Sequence, residues 1–101
     1  MLTHIVICWL KDPGNINHRQ KLVEAAKTFR SIPGIVNVET GCALPSNRPQ
    51  VDSSYDIAVV ITFKDEEALN QYQTHPLHQK AIKDVLAPFV SKFVVYDFIS
   101  L

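Results

Sequence analysis

The chain lacks an excess of charge of either sign, because ten lysines and arginines face ten aspartates and glutamates among its 101 residues. No run of basic residues forms the stripe that neutralises phosphates in a nucleic-acid-binding protein. The chain also lacks a hydrophobic run of the roughly 20 residues that a membrane-spanning helix needs. Its apolar start contains His4 and Trp9 and has neither the basic stretch nor the cleavage site of a signal peptide. We therefore expect neither a nucleic acid nor a membrane as a partner.

Cysteine is scarce, with Cys8 and Cys42 as the two copies. Both lie in apolar, strand-like segments, and neither has the C-x-x-C spacing or the flanking cations of a redox site. Buried free thiols are typical of a reducing compartment, so the cytoplasm is the predicted location. Both thiols are expected to be buried and to react slowly with a thiol reagent in the native state.

The composition is that of an ordinary globular protein, 47% hydrophobic and 20% charged, and the length predicts one domain over residues 1–101. Segments rich in β-branched and aromatic residues predict strands at 3–10, 35–43, 55–63 and 93–99. Apolar residues three and four positions apart predict helices over 17–32 and over 65–90, the second interrupted at Pro76. Asp65 is the predicted N-cap of that second helix.

The predicted order of elements, β-α-β-β-α-β, restricts the topology. Two right-handed β-α-β crossovers, interleaved so that no connection crosses another, give a four-stranded antiparallel sheet with both helices on one face. The expected fold class is therefore α+β, with a ferredoxin-like fold.

The sheet face opposite the helices is predicted to be apolar. Strand one places Ile5 and Ile7 on that face, and strand four places Val94 and Tyr96 there. Such a face would expose more apolar surface than the few hundred Å² that a soluble monomer usually shows. We therefore expect a homodimer in which two of these faces pack together.

A run around the second helix, Ala68-Leu69-x-x-Tyr72-x-x-His75-Pro76-x-His78, is specific because a tyrosine and two histidines surround a helix-breaking proline. With HIVICWLK, IPGIVNVETG, YDIAVVITFKDEEALNQYQTHPLHQK and VVYDF, it makes the chain resemble the stress-responsive A/B-barrel domain family, a branch of the dimeric α+β barrels. This resemblance implies a homodimeric barrel with a pocket in each subunit between the sheet and the helices. No cofactor is expected.

One protein of this fold, a plant polyketide cyclase, closes an aromatic ring without a cofactor by means of a tyrosine and histidines. The resemblance matches Tyr72 and His78 to its tyrosine and to a catalytic histidine, and His4 to its histidine in strand one. The chain departs from the cyclase at Ile57, where the cyclase has another histidine. The resemblance therefore does not imply the same cyclisation.

The residues themselves suggest a site at the same place. If strands one and four are antiparallel neighbours, His4 and Asp97 should lie side by side. His78 could turn toward the same pocket mouth, where we expect Asp97 to fix its tautomer. His78 would then act as a general base while Tyr72 donates a hydrogen bond to a carbonyl or enolate oxygen. The side chains predicted to contact a ligand are Val6, Cys8, Ile57 and Val59.

Two interpretations stay open. In the first, which ranks ahead, the pocket binds an apolar or aromatic small molecule without turnover, and the polar side chains are ordinary interior residues. In the second, the protein is a cofactor-independent enzyme that transfers a proton on a polyketide-like or other carbonyl compound. No haem or flavin motif favours an oxygen-using enzyme. His75 and His78 have an H-x-x-H spacing, but Pro76 interrupts the helical turn and no third ligand is near, so no metal site is predicted.

Overall fold

The computed structural model describes residues 1–101, and its elements follow the predicted order. The strands are β1 (Leu2–Leu10), β2 (Ile35–Gly41), β3 (Ile57–Phe63) and β4 (Val90–Ile99). The helices are α1 (Ile16–Thr28), α2 (Glu66–Thr74), α3 (Pro76–Ala81) and α4 (Ala87–Phe89), with a 3-10 turn at Phe29–Ser31 and a π-helical turn at Ile82–Leu86. None of the helices is long and apolar enough to cross a membrane.

The four strands form one antiparallel sheet in the order β2-β3-β1-β4. Both crossover helices lie on the same face of this sheet, so the predicted ferredoxin-like α+β fold is confirmed. Strand β1 is central, and its residue His4 pairs with Ile61 of β3 on one side and with Asp97 of β4 on the other. The register therefore places His4 and Asp97 next to each other, as the alternation of side chains along the two strands predicts.

The core lies between the helices and the strands β2, β3 and β1. Ile57, Ile61 and Phe63 of β3 are completely buried there, below the apolar sides of α1 and α2. Strand β4 differs, because Phe93 and Val95 face the helix side of the sheet and yet remain exposed. No residue of α3, the π-helical turn or α4 is fully buried. The helix layer is therefore tight over three strands and open over the fourth.

Local sequence signals explain where the helices begin. Asn15 accepts a hydrogen bond from the backbone N–H of His18 at 2.9 Å, and the predicted cap Asp65 accepts one from Ala68 at 2.9 Å. Gly34 has a φ of +89°, and a Cβ atom at this position would lie 2.5 Å from the Cβ of Ala68. Glycine is therefore needed both for the turn and for the close approach of α2 to the start of β2.

Some predicted boundaries differ from the structure. The first helix ends four residues earlier than predicted, at Thr28, and a 3-10 turn follows it. Strand β3 begins at Ile57 rather than at residue 55, because the carboxylate of Asp56 accepts hydrogen bonds from the backbone N–H groups of Leu10 and Gly14, each at 2.8 Å. Strand β4 begins three residues earlier than predicted, because Val90 pairs with Leu10 beyond an irregularity in the ladder.

The sheet face without helices is apolar, as the alternation predicts. Ile5 and Ile7 of β1 pair with Tyr96 and Val94 of β4 on this face, and all four side chains are at least partly exposed. Phe98 extends the same surface and is 52% exposed.

The prediction that both cysteines are buried is confirmed for Cys8 and wrong for Cys42. Cys8 lies within β1 and is 2% exposed. Cys42 follows the last residue of β2, Gly41, and its side chain is exposed. The apolar pattern around Cys42 extends past the point where β2 stops pairing with β3, so no neighbouring strand covers this residue.

We expect the two thiols to react with a disulfide reagent at very different rates. Burial raises the pKa of Cys8 to about 11, so at about pH 8 only about one Cys8 thiol in a thousand is ionised, and the side chain is also shielded. One thiol should therefore react quickly and the other slowly without denaturant. The matched control is Cys42→Ser, which should remove the fast phase. A fast phase that survives in this variant would contradict the burial of Cys8.

Candidate functional site

A cavity of about 280 Å³ lies between the sheet and the helices, beneath the open part of the helix layer. It is close to the lower end of the range of about 300–1,000 Å³ that is typical of small-molecule pockets. Its wall is mainly aliphatic and aromatic, and no lysine, arginine, aspartate or glutamate contributes to it. The polar groups in the wall come from His4, Tyr72, Gln73 and His78. The site is therefore an apolar chamber with a small number of hydrogen-bonding groups.

His4 enters this chamber from the sheet and is held by Asp97. Its ring nitrogen Nδ1 lies 2.5 Å from Oδ1 of Asp97, across the β1–β4 ladder. Because a carboxylate accepts, Nδ1 of His4 donates and carries a proton. The other ring nitrogen, Nε2, has no partner in the protein and is therefore the atom available to a ligand. Asp97 does not line the cavity and remains partly exposed at the edge of the sheet.

Tyr72 enters the chamber from α2. It is 3% exposed, and its ring makes edge-to-face contacts with Phe29 and Phe63 at centroid distances of 5.3 Å and 5.2 Å. The hydroxyl makes no hydrogen bond within the protein. Every completely enclosed polar side-chain atom of the structure has a hydrogen-bond partner, so the Tyr72 oxygen is not completely enclosed and faces the chamber. Burial raises the pKa of Tyr72. The hydroxyl therefore stays protonated and can donate a hydrogen bond.

His78 enters from α3, with its ring centroid 4.2 Å from that of Tyr72. Its Nδ1 lies 3.0 Å from the backbone carbonyl oxygen of Gln73. A carbonyl only accepts, so Nδ1 carries the proton and Nε2 is left with a free lone pair. Burial lowers the pKa of His78 and the nearby His4 lowers it further, while the bond to Gln73 acts in the opposite direction. The net shift favours the neutral imidazole at neutral pH.

The expectation that Asp97 fixes the tautomer of His78 is wrong. Asp97 is the direct cross-strand neighbour of His4 and binds that histidine instead. His78 follows the break between α2 and α3, where the carbonyl of Gln73 is the acceptor within reach. Each histidine thus has its own acceptor.

The structure brings most of the predicted site residues together. The cavity wall includes His4, Val6, Cys8, Val59, Tyr72 and His78. Ile57 does not line it, because its side chain is 0% exposed within the tight part of the core. Part of the cavity wall was not predicted: Ile82, Val85 and Leu86 of the π-helical turn also line the chamber. An apolar stripe marks these residues in the sequence, but the stripe does not distinguish a cavity wall from a packed core.

This arrangement can exchange one proton with a bound molecule. Two imidazoles present their Nε2 atoms, that of His78 without a proton, and one phenol offers an O–H, all at the polar part of an otherwise apolar chamber. No three histidine, cysteine, aspartate or glutamate side chains lie close enough together to bind a metal ion. The groups available here are thus those of general acid–base chemistry.

The model of the stress responsive A/B barrel domain matches residues 2–100. The chain belongs to this family. Among solved structures, a protein of the same family with a ferredoxin-like fold from Mesorhizobium loti is 29% identical, with a TM-score of 0.78 over 99% of this chain and 96% of its own. A dimeric ferredoxin-like protein of unknown function from Thermobifida fusca is 25% identical, with a TM-score of 0.79 over 98% and 90%.

The fold of this family also occurs in an enzyme. A hydroxynitrile lyase from Passiflora edulis is 17% identical, with a TM-score of 0.83 over 99% of this chain and 93% of its own. At this identity the similarity establishes a shared fold alone. No curated protein sequence matches the chain.

The lowered pKa of His78 predicts that acid destabilises the protein. Below the ordinary value of 6.5 the unfolded chain binds a proton that the folded chain does not bind, so the free energy of unfolding falls as the pH drops from there toward the lower pKa of the folded state. His78→Gln removes this contribution and keeps a side chain that can donate to Gln73. Between about pH 7.5 and about pH 5.5, the urea concentration at the midpoint of unfolding should therefore fall further for the wild type than for the variant. Equal losses would contradict the assigned shift.

Proposed function

We propose that the protein is a cofactor-independent enzyme that transfers a proton on a neutral, apolar or aromatic carbonyl compound bound in the chamber. The observation that carries this proposal is the meeting of His78, Tyr72 and His4, which Asp97 holds from the edge of the sheet, at one apolar cavity. A pocket that only retained an apolar ligand would not need two oriented imidazoles and an unpaired phenol in its wall.

The ligand class follows from the charges of the wall. No fixed positive charge lines the chamber, so a carboxylate or phosphate would be buried without a partner, at a cost of several kcal/mol or more. A neutral molecule with a hydrocarbon or aromatic body and one carbonyl or hydroxyl oxygen has no such cost. The body would contact Val6, Val59 and Phe93, and the oxygen would lie near Tyr72.

The proposed roles follow from the protonation states. His78 is neutral and presents Nε2, so it accepts a proton from an acidic C–H or O–H of the ligand. Tyr72 stays protonated and donates a hydrogen bond to the oxygen on which negative charge develops. His4 also contacts Tyr72, with ring centroids 5.9 Å apart, and Asp97 binds its Nδ1 and so leaves Nε2 toward the chamber. His4 is thus placed to hold or return a proton.

A second candidate function is binding without turnover, which the mainly apolar wall favours. Both functions use the same ligand class. They differ in whether the bound molecule exchanges protons at the polar end of the chamber. A link to stress responses comes with the description of the family and is compatible with either one. A cytoplasmic location remains a prediction, and the two free thiols are compatible with it.

The homodimer is part of this proposal. The partly exposed Ile5 and Ile7 and the exposed Tyr96 and Phe98 lie on one sheet face, and a second copy of this face would cover them. The protein from Thermobifida fusca, which shares the fold, is dimeric. Because the chamber lies on the opposite face of the sheet, each subunit would keep its own site.

Turnover should depend on His78 and Tyr72. A thermal-shift screen of aromatic and polyketide-like carbonyl compounds first identifies a ligand, and NMR then measures deuterium uptake at its acidic carbon in D₂O. His78→Ala should slow this uptake by roughly 10²- to 10⁴-fold, the usual contribution of a general base. Tyr72→Phe removes one hydrogen-bond donor and should cost less.

The control for these variants is His18→Gln, because His18 stacks on Phe89 outside the chamber, with ring centroids 4.3 Å apart. It should exchange the ligand at the wild-type rate. Wild-type rates in both site variants would exclude the assigned roles. A ligand that binds but does not exchange in the wild type would favour the second candidate function.

A charge on the helix-free face should dissociate the dimer. Ile7→Asp places a carboxylate where the partner would bury it, and an unpaired buried charge costs several kcal/mol or more. Light scattering at micromolar concentration should give twice the chain mass of 11.4 kDa for the wild type and a single chain mass for the variant. Asn70→Asp adds the same charge at an exposed position of α2 and should remain dimeric. A monomeric wild type would refute the dimer.

A further inference from the structure

The break between α2 and α3 changes the hydrogen-bond partners of the residues around it. Helix α2 ends at Thr74, the next residue His75 is extended with a ψ of 139°, and Pro76 begins α3. In an uninterrupted α-helix the carbonyl of Gln73 would accept from the backbone N–H four residues later, which belongs to Leu77. Because of the break, the carbonyl of Gln73 and the N–H of Leu77 must each bind a different partner.

The side chain of His75 takes the N–H. Its Nδ1 accepts a hydrogen bond from the backbone of Leu77 at 3.1 Å and so caps the start of α3. The carbonyl of Gln73 is left without its helical donor. Two side chains bind it instead, through Nδ1 of His78 at 3.0 Å and Nε2 of Gln79 at 2.8 Å.

We propose that His75 is a positioning residue for His78. By holding the N–H of Leu77, His75 reserves the Gln73 carbonyl for His78 and so keeps His78 in the tautomer with a proton on Nδ1 and a lone pair on Nε2. The consequence for catalysis rests on the proposed function, whereas the tautomer itself does not. In this arrangement His75 must keep its own Nδ1 unprotonated, since that atom accepts a hydrogen bond.

The alternative is that His75 only caps α3 and contributes to stability. The two roles differ in whether removal of the His75 acceptor changes the tautomer of His78. Without His75, the N–H of Leu77 has no acceptor, and a shift of the start of α3 lets this N–H compete with His78 for the carbonyl of Gln73 although Pro76 keeps the helix broken. A purely structural cap would lower the melting temperature and leave the tautomer of His78 unchanged.

NMR of the ligand-free protein labelled with ¹⁵N-histidine separates these roles, because long-range ¹H–¹⁵N correlations distinguish the two imidazole tautomers. His78→Gln identifies the signals of His78 by their loss. The wild type should hold most of His78 with the proton on Nδ1. His75→Asn keeps a good capping acceptor and should retain that tautomer. His75→Ala has no acceptor and should shift most of His78 to the form with the proton on Nε2.

If His75→Ala does not fold, His75→Gln provides the same comparison, since glutamine caps helices poorly and is closer in size to histidine. A folded His75→Ala or His75→Gln protein that keeps the Nδ1–H tautomer would overturn the proposal. A wild type with the proton on Nε2 would also overturn it. If the tautomer responds as expected but no carbonyl ligand exchanges protons, the positioning role stands and the proposed enzymatic function fails.

A ligand that does exchange gives a second readout. In that case His75→Ala should lower kcat while changing KM little, because the wall that contacts the body of the ligand is intact, and His75→Asn should restore kcat. A rise in KM alone, with kcat unchanged in both variants, would count against positioning.

Discussion

The incomplete cover of the sheet by its helices is the constraint from which the rest of this structure follows. Helices α1 and α2 bury their apolar sides against β2, β3 and β1, where residues such as Ile57 and Phe63 are completely enclosed. The chain from α3 to α4 has no fully buried residue, and Phe93 of β4 is 51% exposed although it faces the helix side. The chamber is the space that remains where this layer is thin. The core and the site are thus two parts of one interface between sheet and helices.

Because this chamber is apolar, it determines the protonation of the polar groups in its wall. Removing a titratable group from water disfavours its charged form, which lowers the pKa of His78 and raises that of Tyr72. One group is thereby prepared to accept a proton and the other to donate a hydrogen bond. Their orientation has a separate origin. Asp97 holds His4 through the pairing of two strands, and Gln73 holds His78 through the end of a helix.

The sequence predicted those parts of the protein that repeat with a simple period. Side chains alternate along antiparallel strands, so His4 beside Asp97 and an apolar helix-free face follow from counting residues. It did not predict what depends on where an element ends. Cys42 is exposed because β2 stops pairing one residue earlier, and His78 binds Gln73 because a helix breaks at Pro76. The π-helical turn that forms part of the chamber wall cannot be told from an ordinary α-helix by the spacing of its apolar residues.

The placement of the two histidines also has a kinetic consequence. His4 lies in a central strand paired on both sides, and opening of that strand requires disruption of the sheet. His78 lies in the part of the helix layer, from α3 to α4, that has no fully buried residue, and such stretches open at a fraction of the free energy of global unfolding. If the chamber binds a ligand as proposed, thermal opening of this stretch would admit and release it on a timescale much shorter than that of unfolding. The rate of exchange with solvent could then be adjusted by substitutions in α3 and α4 alone, while the sheet keeps its half of the site in place.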